Sequence, residues 1–254
     1  MRRIITVVAL FALGIVAYAA DPKSGSANKS GDWSATVSLT APEANQAAAT
    51  DEKFVYAITN TLVAKYDRLT GTRIAVSTGA AKHLNSGYLW EGKLFCAHSN
   101  YPLTPEHSEI KVLDSESMRL ATFKDFGNFG GSLTWAVRRD DRWWCNFARY
   151  GADNSGTFLV EFDAEWNEQA RWTYPAAVLN KLGQYSLSGG TWCDRDLLVD
   201  PLLFRLRLPN QGRVLEFIDT QSVPFTGQGF ASDPQTGGLV GINRAKKQVI
   251  FAVQ

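Results

Sequence analysis

Leu62-Val63-Ala64-Lys65-Tyr66-Asp67 decides the reading of this chain, because variants of it return at a near-constant interval. Glu109-Ile110-Lys111-Val112-Leu113-Asp114 follows, then Phe158-Leu159-Val160-Glu161-Phe162-Asp163, then Leu203-Phe204-Arg205-Leu206-Arg207-Leu208-Pro209, and last Val249-Ile250-Phe251-Ala252-Val253-Gln254. The segments end at residues 67, 114, 163, 209 and 254, at intervals of 47, 49, 46 and 45. Strand-like self-similarity at roughly 40–50 residues is the signature of β-propeller blades. The expected fold is therefore all-β.

Each period divides into four strands by alternation and turn chemistry. In the first, Gln46 to Ala49 is a small inner strand and Phe54-Val55-Tyr56-Ala57-Ile58 the second. Leu62 to Tyr66 is the third, and Thr72-Arg73-Ile74-Ala75-Val76 the fourth. No helical period is read between the strands. The last repeat stops after its third strand, whereas Trp33-Ser34-Ala35-Thr36-Val37-Ser38-Leu39 stands alone before the first and reads as a fourth. If that strand completes the C-terminal blade, the ring closes and an open sheet edge is paired. The count gives five four-stranded blades over residues 33–254, with six the alternative if one strand is misassigned. Asp67, Asp114 and Asp163 each end a third strand, where a carboxylate accepts hydrogen bonds from the turn it begins.

Ahead of the repeats, Met1-Arg2-Arg3, the apolar run Ile4 to Val16 and Ala17-Tyr18-Ala19 read as an export signal over residues 1–20. The run is shorter than the ~20 residues that span a bilayer, so a soluble periplasmic or extracellular protein is expected, with no membrane span after cleavage. Residues 21–32 are Lys-, Ser-, Asn- and Gly-rich and read as a flexible lead. A formal net charge of +1 leaves no basic stripe for nucleic acid. Cys96, Cys145 and Cys193 are an odd number for an oxidising compartment; they read as small buried thiols.

In a propeller, the loops joining strands two to three and those crossing between blades share the face at the mouth of the central channel. Here those segments are long and polar, and binding residues gather on loops held by a rigid scaffold. Asn85 and Ser86, Asn100 and Tyr101, Tyr150, Ser186 and Ser188, and Gln228 are the ligand-binding candidates. Hydroxyls and amides suit a neutral polar ligand such as a sugar or small organic acid, and the two tyrosines suit stacking on a ring. The competing explanation is that small residues are needed where inner strands crowd the axis. His98 and His107 fall on one loop with Glu106 and Glu109. The spacing matches no standard metal pattern, so no metal or cofactor is expected, and the histidines are the candidates for a catalytic proton carrier. No nucleophile elbow or phosphate-binding loop is present.

Taken in order, several segments resemble a family of bacterial propeller proteins often labelled cycloisomerase-like. They are His98-Ser99-Asn100-Tyr101-Pro102, Gly131-Ser132-Leu133-Thr134-Trp135, Phe147-Ala148-Arg149-Tyr150, Tyr185-Ser186-Leu187-Ser188-Gly189-Gly190, Leu206-Arg207-Leu208-Pro209 and Gly227-Gln228-Gly229. The likeness runs over roughly residues 85–245. The family pattern has a longer second-to-third-strand loop with a Gly-His-Asp element in the fourth repeat. Here Val199-Asp200-Pro201-Leu202-Leu203 turns tightly instead, which counts against catalysis. Three functions follow as expectations: binding of a small polar molecule or glycan at the channel mouth, a cycloisomerase or lactonase-type reaction using His98 or His107, and a platform for a protein partner.

Overall fold

Alternating strands joined by short turns can only bury their apolar faces by stacking sheet on sheet, and the chain does so five times. The computed structural model describes residues 31–151, 154–200 and 202–254; the expected signal segment and nearly all of the lead lie outside the described residues. β1 (Ser34–Thr40) comes first. Blade 1 is β2 (Ala47–Thr50), β3 (Phe54–Ile58), β4 (Val63–Asp67) and β5 (Arg73–Val76). Blade 2 is β6 (His83–Trp90), β7 (Lys93–Ser99), β8 (Ser108–Asp114) and β9 (Arg119–Gly127). Blade 3 is β10 (Ser132–Arg139), β11 (Arg142–Ala148), β12 (Phe158–Phe162) and β13 (Glu168–Thr173). After α1 (Ala176–Leu182), blade 4 is β14 (Gly190–Cys193), β15 (Asp196–Val199), β16 (Phe204–Arg207) and β17 (Glu216–Thr220). Blade 5 is β18 (Ala231–Asp233), β19 (Gly238–Asn243) and β20 (Gln248–Val253), with β1 as its outer strand.

The closure read from the sequence is the one observed. β1 pairs antiparallel with β20, from Ser34 opposite Val253 to Thr40 opposite Gln248. Trp33, just before it, is buried and donates its indole N–H to Gln221 Oε1 at 2.9 Å. A second clasp joins blades 1 and 5. Arg68 places both guanidinium nitrogens 2.7 Å from the two oxygens of the buried Asp233 and stacks 4.5 Å above the Phe251 ring. Burial opposes the Asp233 charge, but the Arg68 guanidinium and the Thr236 hydroxyl outweigh it and hold the carboxyl below its usual range.

The core lies between blades. Tyr56 and Ile58 pack blade 1 against Leu84 and Leu94 of blade 2 and Val240 and Phe251 of blade 5. Phe147 and Phe158 pack against Phe95 and Ile110, and Trp135 and Leu159 against Leu197 and Phe204. Each fully buried side chain of this size stabilises by about 1.5–3 kcal/mol, so the interfaces hold the ring. Asp67, Asp114 and Asp163 do what their positions suggested. Each accepts backbone N–H groups of its own turn, from Thr70, Ser117 and Asn167 respectively, and those bonds lower its pKa.

Three sequence expectations need correction. A two-turn helix, α1, interrupts the strands between blades 3 and 4. Pro175 before it, the apolar Val178, Leu179 and Leu182 on its buried face, and Gly183 at φ 59° after it are its start, period and stop signals. Asn85 and Ser86 lie within β6 and not on a crossing loop; likewise His98 is in β7, directly opposite Glu109 in β8. Cys96 and Cys145 are buried thiols as expected, but Cys193 is exposed.

Candidate functional site

The five inner strands meet so closely that glycine is required at the axis. A Cβ on Gly229 would stand 2.9 Å from Ala47 Cβ, 3.0 Å from the Ser188 carbonyl oxygen and 3.1 Å from Ser86 Cα. Blades 1, 2, 4 and 5 therefore touch at this level. The crowding explanation for the small residues holds for Ser86, which is buried there. Beside this contact a funnel of about 680 Å³ opens on the face carrying the second-to-third-strand loops. Every blade contributes to its wall.

Six sequence candidates line the funnel: Asn85, Tyr101, Tyr150, Ser186, Ser188 and Gln228. Gln228 is held at φ 71° between two glycines, a left-handed turn that few side chains accept. Tyr101 and Tyr150 form one aromatic flank with ring centroids 4.7 Å apart, and His83 extends it, 5.3 Å from Tyr101. Burial keeps the His83 imidazole below its usual pKa, helped by the Arg244 charge, so the ring is neutral at pH 7. α1 brings Lys181 and Leu182 to the wall. Its C-terminus is fastened by Asn154, whose amide donates to the Gly183 carbonyl at 2.9 Å.

Sequence reasoning missed Asp200, the most unusual group in the funnel. It follows β15 in the tight turn that had counted against catalysis. Its Oδ1 accepts the backbone N–H groups of Ser188 at 2.8 Å and Gly189 at 2.6 Å. Its Oδ2 is buried and has no hydrogen-bond partner among the described residues. Burial pushes the carboxyl up to about 8, against the pull of the two backbone donors. Tyr150 and Tyr174 are also pushed up by burial, Tyr150 further by Tyr101 and then Asp200, Tyr174 by Asp200. At neutral pH Asp200 is thus mostly a neutral acid, able to donate one proton. The available signal was its setting: one carboxylate in a tight turn between the apolar runs Leu197-Leu198-Val199 and Leu202-Leu203.

Two further lining groups share that feature. Gln46 donates through Nε2 to Asn60 Oδ1, while its Oε1 is buried without a partner. Ser186 Oγ is in the same condition. A buried polar atom left unpaired costs about 1–3 kcal/mol, so three atoms around this one cavity are open to pairing by water or a bound molecule.

His98, His107 and Asn100 lie elsewhere, on a smaller cavity of about 340 Å³ with Glu109 and Lys111. His98 Nε2 accepts the Lys82 backbone N–H at 2.9 Å, and Nδ1 lies 3.0 Å from Glu109 Oε2 without the alignment of a good hydrogen bond. Burial, then Lys111, brings its pKa down to about 4. Nε2 is thus committed within the fold, and Nδ1 faces the Glu109 carboxylate. His107 pairs with Asp125 at 2.8 Å, and Glu106 turns away to Arg149 at 3.5 Å. The ligand atoms of His107, Glu109 and Asp125 come within 4.8 Å of one another, but Glu109 already pairs with the Lys111 ammonium at 2.8 Å.

Fold and site together define a class, a five-bladed β-propeller with a polar funnel at the mouth of its axis. Among solved structures the chain is similar to the crystal structure of Myxococcus xanthus glutaminyl cyclase. The TM-score is 0.58 with 8% identity, covering 87% of this chain and 95% of that one. It is also similar to the WD40 β-propeller domain of Doa1, at a TM-score of 0.46 and 8% identity over 87% and 97% of the two chains. The first likeness shows the propeller fold alone; the second is too loose to carry an argument. No protein-family model matches the sequence, and no curated protein matches it. Among the described residues, no helix is long and apolar enough to cross a membrane.

Proposed function

We infer that this propeller binds a small polar molecule in the funnel, and that the protein works outside the cytoplasm, as its N-terminal sequence suggests. One observation carries the binding reading. Gln46 Oε1, Ser186 Oγ and Asp200 Oδ2 are buried, lack partners among the described residues and belong to side chains lining the same cavity. A ligand offering hydroxyl, amide or carbonyl groups pairs them, while the Tyr101 and Tyr150 rings cover its apolar face. The test is a thermal-shift screen of sugars, small organic acids and lactones. A ligand at ~100 times its dissociation constant adds about 2.7 kcal/mol, a shift of a few degrees in a domain of this size. Tyr150→Ala and Gln228→Ala should each abolish it. A screen with no shift refutes the reading.

A second reading, catalysis, is favoured by Asp200. A carboxyl with a pKa near 8 in a cleft is matched to proton transfer at neutral pH. This moves the expected proton carrier from His98 and His107 to Asp200, and keeps the cycloisomerase or lactonase type suggested by the family resemblance. Turnover of lactones, unsaturated acids and a glutaminyl dipeptide, the last prompted by the name of the structural relative, should vanish in Asp200→Asn. Turnover should persist in His98→Gln.

A further inference from the structure

We propose that the funnel selects a small organic carboxylate over a neutral sugar, with Arg244 as the cation that reads the acid and Lys181 as a second one. The inference rests on the binding reading above and narrows its ligand. Neutral groups alone would favour an uncharged ligand, but the charges around the wall are one-sided. Among the described residues its charged side chains are Arg244, Lys181 and Asp200, and no glutamate lines it. Arg244 and Lys181 are exposed and neither has a carboxylate within ion-pair distance among the described residues. Arg68, Arg73, Arg205 and Arg207 each sit on an acid, whereas Arg119, Arg195 and Arg213 share with Arg244 the lack of an ion pair among the described residues; what sets Arg244 apart is its place in the funnel wall. Arg244 instead donates through Nε to the neutral Asn45 side chain at 3.0 Å, which fixes the head and leaves its remaining N–H groups for an acceptor. Its charge reaches His83 on the aromatic flank, so acid and stacking sites are adjacent. Lys181 is the weaker reader. Its ammonium lies 3.4 Å from Thr220 Oγ1 and 5.5 Å from the Phe217 ring centre.

The wall therefore presents two cations outward and neutral polar groups further in. A carboxylate bonded by guanidinium is held about twice as strongly as a neutral group would be, and the fork geometry favours planar two-oxygen acceptors. A hydroxy acid of sugar size fits both zones, its carboxylate on Arg244 and its hydroxyls on Gln46, Ser186 and Asp200.

The test uses matched probes, D-glucose against D-glucuronate and D-galactose against D-galacturonate, by isothermal titration calorimetry on the purified chain at 50 and 200 mM salt. The expected result is at least tenfold tighter binding of an acid than of its sugar. The preference should weaken with salt and fall to near unity in Arg244→Gln, a variant whose fold is not at risk because the side chain is exposed. Equal binding of sugar and acid, or a preference unchanged in both Arg244→Gln and Lys181→Gln, overturns the inference and leaves the funnel reading standing. No binding of any probe at 10 mM, a ceiling set ~10,000-fold above micromolar affinity, overturns both.

Discussion

Asp200→Asn should abolish the pH dependence that this one carboxyl imposes on folding. In the folded chain burial holds its pKa near 8, whereas the unfolded chain returns it to about 3.8. Between those values the folded state keeps a proton that the unfolded state has lost, so stability from this group is full below about pH 4 and declines as pH rises through 8. One proton corresponds to about 1.4 kcal/mol per pH unit, hence about 2.7 kcal/mol between pH 5 and pH 7. Asparagine is a close mimic of the neutral acid. Its carbonyl can accept the Ser188 and Gly189 N–H groups, and its amide takes the place of the protonated Oδ2. Urea denaturation of both proteins at pH 5, 6 and 7 gives the difference directly, and other titrating groups cancel in it. The variant should gain on the wild type by 2–3 kcal/mol across that range. Parallel curves, within about 0.5 kcal/mol, would show that Asp200 is ionised and solvated and would remove the basis for its role.

Three other outcomes follow. Arg68→Ala strands the buried Asp233 at the joint of blades 1 and 5 and should cost about 3–5 kcal/mol by denaturation; a loss under 1 kcal/mol would mean the clasp does not hold the ring. Gly229→Ala should cost about 1–3 kcal/mol and weaken ligand binding, since the new methyl meets Ala47, Ser86 and Ser188 at the axis; a variant with unchanged melting would show that the inner strands are not in contact. His98 has its folded pKa depressed to about 4, so its contribution is present above pH 6.5 and lost as pH falls towards 4. His98→Gln should flatten the acid side of the stability curve, and an NMR titration placing the imidazole pKa above 6 would refute this.

The fold was legible because its determinants are local and repeated. The third-strand segments ending at Asp67, Asp114 and Asp163 return with the blade, and the unmatched strand at Trp33 to Leu39 has one open edge to fill. The helix α1 escaped because seven residues hold barely two turns, too short for periodicity to stand out; its Pro175 and Gly183 punctuation was the better guide. Half of the site was legible in the same way. Residues flanking inner-strand glycines point to the axis in any propeller, and Asn85, Ser186, Ser188 and Gln228 reached the funnel on that logic. His98 and Asn100 did not, since alternation along β7 and its loop sends neighbouring side chains to different spaces, and only the register with β8 decides which. Arg244 and Lys181 are brought to the rim by the β19–β20 turn and by α1, neither of which carries a local signal of function.

Asp200 was the least legible, and the contrast with its fellow aspartates explains why it matters. Asp67, Asp114 and Asp163 are turn-starting carboxylates at the blade edges. Each is paired with backbone donors of its own turn and has its pKa lowered, so ionisation strengthens the fold. Asp200 is the same residue on the same scaffold with the opposite physics: buried, half paired, pKa raised, its free oxygen in the wall of a cavity. Folding alone would be better served by asparagine, which keeps both Oδ1 bonds and never ionises. A charge-capable group placed where its charge destabilises the molecule is what the proposed contact with a ligand would account for. The funnel, more than the histidines, is therefore where the chemistry of this propeller should be sought.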